Sequence, residues 1–72
     1  MTTSTQTGTV RLPTAGSKVR CPADRGDEAY DGVAEAIAET VSHNHLGHPF
    51  HWVDVRHPRG HIVVWPSNRL EF

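Results

Sequence analysis

Two β-forming runs on either side of a four-residue break restrict the fold of this chain more firmly than anything else in it. PFHWVDVR (49–56) and HIVVWP (61–66) are dense in β-branched and aromatic residues, and HPRG (57–60) between them carries the proline and glycine of a turn. The arrangement predicts an antiparallel hairpin. In the first run Phe50, then Trp52 or Val53, then Val55 alternate with polar partners. Pro66 ends the second, because proline has no N–H to give a ladder. A lone hairpin is only marginally stable in water, so the rest of the chain must cover it.

Little chain is left to do so. The opening MTTSTQTGTVRLPTAGS is rich in Thr, Ser and Gly and too poor in apolar residues to offset its ordering entropy. Residues 1–16 read as a flexible tail, although TVRL could add a strand. The remaining 56 of the 72 residues lie near the lower size limit for folding without staples, and the lone Cys21 allows no intramolecular disulfide. A single cysteine fits a reducing compartment. There is no apolar run behind Met1 and no window of about 20 apolar residues, so the expectation is a cytoplasmic protein with no membrane contact.

The segment DEAYDGVAEAIAETVSH (27–43) admits two readings. Val33, Ile37 and Val41 recur at helical spacing, and Glu35 and Glu39 share another face. Gly32 interrupts that helix at a cost of about 1 kcal/mol. As a strand, the segment alternates Ala34, Ala36 and Ala38 against Val33, Ile37 and Val41. Periodicity favours the helix, whereas the neighbouring hairpin favours the strand.

The succession GSKVRCP, YDGVAEAI, FHWVDVR, GHIVVWPSNRLEF resembles a KOW-like, SH3-like small β-barrel domain over roughly residues 16–72. The resemblance implies an all-β barrel of about five strands behind a disordered N-terminal tail. Val19 and Cys21 would lie in the first strand and Gly32 would open the second. Pro66, Ser67 and Asn68 would form a tight 3₁₀-type turn before a last strand at Leu70. The ending WPSNRL is also similar to that of small actinobacterial and phage proteins. One departure bears on function: KOW-type domains are usually basic in the loop before that glycine, and here the loop is ADRGDEAYDG.

Charge supports the departure. Residues 1–23 carry +3, residues 24–40 carry −5 and residues 41–72 carry +1, for a formal net charge of −1. Nonspecific nucleic-acid binding normally needs a strong basic excess. Arg56, Arg59 and Arg69 with His57 and His61 make only a weak footprint of that kind.

Four of the six histidines fall in SHNHLGHPFHW (42–52). Zinc needs three or four ligands converging at about 2.0–2.3 Å. His43, His45 and His51 are the candidate metal ligands if the segment folds back on itself. The spacing matches no paired zinc-finger pattern and no H-E-x-x-H motif, and the competing reading is a polar hairpin loop. Metal or no metal, protonating all six histidines would carry the formal charge from −1 to +5, so a pH-responsive surface is an alternative function.

No nucleophile elbow, P-loop or dinucleotide turn is present, and Cys21 beside Val19 reads as a small core residue rather than a nucleophile. The chain is therefore expected to be no enzyme and to need no cofactor. Two tryptophans are too many for so small a domain to expose, and Trp65 is expected to pack. Tyr30 and Trp52, with Asp27 and Glu28 of the acidic loop and Arg56 and Arg59 of the hairpin, are the candidate partner-binding residues. The expected function is a small interaction module for a protein partner, with nucleic acid the lesser possibility.

Overall fold

The computed structural model describes residues 11–24 and 26–72, and their fold is all-β. Six strands follow in chain order: β1 (Lys18–Cys21), β2 (Tyr30–Ile37), β3 (Ser42–His43), β4 (Pro49–Phe50), β5 (Trp52–Arg56) and β6 (Ile62–Pro66). A 3₁₀ turn at Ser67–Arg69 comes last, so the Pro66–Asn68 region turns as expected. The main sheet is an antiparallel meander in the order β1-β2-β5-β6, and β3 and β4 form a separate two-stranded ribbon. Four strands, rather than a closed barrel, make up this sheet. The segment expected as a final strand contributes one antiparallel bridge, in which the Arg20 and Glu71 main chains exchange hydrogen bonds of 2.8 and 3.0 Å.

The two β runs of the sequence are β5 and β6, paired from Trp52↔Pro66 to Arg56↔Ile62. Their turn is a three-residue loop. The Gly60 N–H donates to the His57 carbonyl at 2.8 Å, Pro58 takes the position that wants its fixed φ, and Gly60 sits at φ +103°. That combination is a type I turn closed by a left-handed residue, a common three-residue hairpin connection. The first run is shorter than the sequence implies. His51 interrupts it: its N–H donates to the Ser67 hydroxyl at 3.0 Å and its carbonyl accepts the Ser67 N–H at 2.8 Å.

The helical reading of 27–43 is overturned, because β2 lies between β1 and β5 and its backbone groups belong to both ladders. The simple alternation is overturned as well. The β2–β5 register shifts between Ala34 and Ala36, so Glu35 is the extra residue of a bulge. Ala34 consequently faces the core opposite Val55, and Ala36 faces outward opposite Asp54. Val33 and Ile37 fall on opposite faces, while Val41 lies outside the strands and is exposed.

Val19, Cys21, Ala34, Val53, Val55, Trp65 and Leu70 form the core, with Tyr30, Ile37, Val63 and Phe72 packed against it. Each buried valine contributes about 1.5 kcal/mol or more of apolar transfer. Gly32 faces this core from β2 and does not open the strand. A Cβ on it would collide with Val55 Cγ1 and come within 2.9 Å of the Arg56 carbonyl oxygen, so its role is close strand approach rather than an unusual φ.

Of the tail, residues 1–10, including the first half of TVRL, lie outside the described residues. Arg11–Gly16 form no strand but pack on the sheet: Pro13 is buried and the Gly16 N–H donates to the Ala34 carbonyl at 2.6 Å. The Arg11 guanidinium lies 4.7 Å over the Phe72 ring and bonds the Phe72 main-chain oxygen. Among the described residues no helix is long and apolar enough to cross a membrane.

Candidate binding cleft

The loop between β1 and β2 is held at its tip by reciprocal hydrogen bonds between the Asp24 and Asp27 main chains, of 3.0 and 2.8 Å. This tip stands opposite the β5–β6 turn, and a cleft of about 500 Å³ opens between them. Asp24, Asp27 and Glu28 line one wall, His57, Arg59 and His61 line the other, and Tyr30 and Trp65 are among the residues that close it between the walls.

The aromatic groups are fixed by one another. The Trp65 indole Nε1–H donates to the Tyr30 hydroxyl at 2.8 Å, with the rings edge to face at 6.4 Å. The Tyr30 ring lies 4.2 Å from the His57 ring at an interplanar angle of 49°. His57 in turn stacks on His61, the centroids 4.5 Å apart and the planes within 17°. His57 Nδ1 accepts the Arg59 N–H at 3.0 Å, a bond that is made only by the neutral imidazole with its proton on Nε2.

The electrostatics follow from that packing. Partial burial, then His61 and Arg59, hold His57 below the ordinary imidazole value, against an opposing pull from Asp27. Burial raises the Tyr30 phenol and also the Cys21 thiol behind it. Cys21 is fully buried, which suits the core role expected of it.

The structure therefore brings together four of the six partner-binding candidates: Asp27, Glu28, Tyr30 and Arg59. Trp52 and Arg56 are not among them. Trp52 lies at the far end of β5, on the outer face opposite Pro66, 43% exposed and edge to face with Phe50 at 4.9 Å. Arg56 gives its Nε–H to Glu35 at 2.9 Å and Nη1 to the Gly60 carbonyl at 3.0 Å, and Glu35 raises its pKa. Arg69, the third arginine of the basic face, sits 5.6 Å over Trp65 instead. Of the three arginines, Arg59 alone lines the cleft.

The histidine-rich segment forms the β3–β4 ribbon. Asn44 organises its tip, its Oδ1 accepting the N–H groups of Leu46 and His48 at 2.9 Å each, and Gly47 takes a φ of +83°. His51 Nδ1 lies 2.7 Å from the Ala38 carbonyl, drawn away from the ribbon's exposed His43 and His45. Among the described residues no group of three or more His, Cys, Asp or Glu side chains is placed to hold a metal ion, so His43, His45 and His51 do not converge.

His57, His61 and Trp65 join the acidic loop at the cleft, a pairing that composition does not reveal. For the two histidines the signal is the spacing His57-Pro-Arg-Gly-His61, because a three-residue loop sets its flanking residues opposite each other. No family model matches the chain, and no curated protein or solved structure is significantly similar to it.

Proposed function

We propose that the chain is a small non-enzymatic interaction module that binds a segment of a protein partner in the cleft between its acidic loop and the β5–β6 turn. The observation that carries this reading is a cleft of about 500 Å³ with Asp24, Asp27 and Glu28 along one wall, His57, Arg59 and His61 along the other, and Tyr30 and Trp65 between them. Rigid aromatic surface beside a few polar groups is the usual make-up of a peptide-recognition groove. The succession β1, β2, β5, β6, then a 3₁₀ turn and the Arg20–Glu71 bridge, supports an SH3-like reading of the fold, in which the long first loop borders the binding surface. Three carboxylates against one arginine among the described cleft residues disfavour a polyanion as partner.

The test is a peptide-display selection on the immobilised full chain, followed by amide NMR with the selected peptide. Shifts are expected to centre on Asp27, Glu28, Tyr30, His57 and Arg59. Shifts centred on Trp52 and the outer face, or no selected peptide, would overturn the assignment.

A further inference from the structure

Building on that reading of the cleft, we infer that it selects a cationic segment, bearing lysine or arginine, and releases it on mild acidification through the stacked pair His57 and His61. The geometry gives both halves of the inference. A ligand cation in the cleft meets an aromatic lining that includes Tyr30, Trp65 and neutral His57, with Asp24, Asp27 and Glu28 in the same lining. Arg59 is the one opposing charge among the described cleft residues.

Protonation changes the imidazole wall on three counts. A proton on His57 Nδ1 removes the acceptor that holds the Arg59 N–H, so the turn loses an internal bond. It turns His57 from a neutral part of the cleft lining into a cation. It also adds charge beside Arg59 and 4.5 Å from His61, whose own protonation deepens the repulsion. The groups facing the pair are Asp24, Asp27 and Glu28 from the loop, Tyr30 from β2, Arg59 within the turn and Trp65 from β6. Once charged, the histidines offer those carboxylates an internal counter-ion in place of the ligand's cation.

The experiment uses the labelled full chain and three pools of ten-residue peptides, one rich in lysine and arginine, one neutral and one acidic, titrated at pH 7.5 and 5.5. The two values span the ordinary imidazole range. The cationic pool is expected to shift the cleft amides at pH 7.5 and to bind on the order of tenfold or more weakly at pH 5.5, the effect of one like charge a few ångströms away in a partly screened site. In His57→Asn/His61→Asn the ratio of the two affinities should approach one, whatever the affinity at pH 7.5. Asparagine at position 57 retains an oxygen able to accept the Arg59 N–H in an Asx turn, so the loop keeps its closure.

Should the variant not fold, ring-nitrogen spectra of the unaltered chain give the same answer. Release must follow protonation of His57 or His61, not of His43, His45, His48 or His51. Equal binding of the neutral or acidic pool in the cleft overturns the cation selectivity and leaves the module reading standing. Equal cationic binding at both pH values, or release that follows another histidine, overturns the release mechanism alone. If no pool shifts the cleft amides, the inference and the module reading on which it rests both fall.

Discussion

The indole N–H of Trp65 ends on the hydroxyl of Tyr30 at 2.8 Å, a polar contact between two rings that otherwise close the core beneath the cleft. Trp65 is buried, so its donor has few alternative partners. Tyr30→Phe keeps the ring and removes the acceptor. It should cost about 1 kcal/mol, the usual net worth of such a bond, and more if water cannot replace the oxygen. Urea unfolding monitored by tryptophan fluorescence measures this; an unchanged midpoint would show that the bond contributes nothing.

Gly32→Ala should be among the more damaging single-methyl changes in the chain. The added carbon meets Val55 Cγ1 and the Arg56 carbonyl, and backbone cannot yield as a side-chain tip can. Overpacking of this kind costs roughly 1–3 kcal/mol. Pairing it with Val55→Ala relieves one of the two contacts, so the double variant should be more stable than the sum of the single effects predicts. Strict additivity in thermal melts would mean that Val55 is not the obstacle.

Stability should fall at both ends of the pH scale. His57 is held below the ordinary imidazole value near 6.5, so the unfolded chain takes up its proton first as pH drops. Its contribution is complete above that value and is lost as pH falls through the lowered one. Cys21 and Tyr30 are raised, chiefly by burial, so the unfolded chain ionises first as pH climbs. Their contribution is complete below about pH 8.5 and is lost above it. Denaturation midpoints from pH 4.5 to 10.5 should trace this profile. His57→Asn should flatten the acid limb and Cys21→Ala the alkaline one; limbs unmoved by these changes would assign the titration elsewhere.

Asn44→Ala removes one oxygen that closes the β3–β4 tip by accepting two N–H groups. The tip of the ribbon, residues 45–48, is exposed, so the effect should stay local. Amide exchange at Leu46 and His48 is expected to accelerate at least severalfold, with a global cost of about 1 kcal/mol or less. A loss of several kcal/mol in the global transition would show that the ribbon is integral to the core.

Much of this architecture is legible in the sequence. The β5–β6 hairpin follows from Pro58 and Gly60 between two β-rich runs, and burial of Trp65 follows from the scarcity of other large core residues. The acidic loop with Tyr30 at its end is readable as a surface feature from charge alone. The face assignments are less so. Trp52 and Val53 are adjacent and both apolar, and only the pairing of Val53 with Trp65 and of Trp52 with Pro66 decides which one turns inward. That decision separates Trp52 from Tyr30 in space. The partners of the acidic loop escape notice for a similar reason, since His57 and His61 gain their places from register rather than composition.

The bulge at Glu35 resets the phase of the pleat midway along β2. The side chain there is exposed, and its ion pair with Arg56 is the sort that contributes little. Removing the residue would join Ala34 directly to Ala36 and leave the pairs Ala34–Val55, Ala36–Asp54 and Ile37–Val53 as they are, so the ladder would become regular with the same in–out frame. Position 35 should therefore accept many replacements and its own deletion as well, so a deletion scan along β2 would show a local maximum of tolerance there; a loss of folding on deleting Glu35 would show that the bulge itself is required.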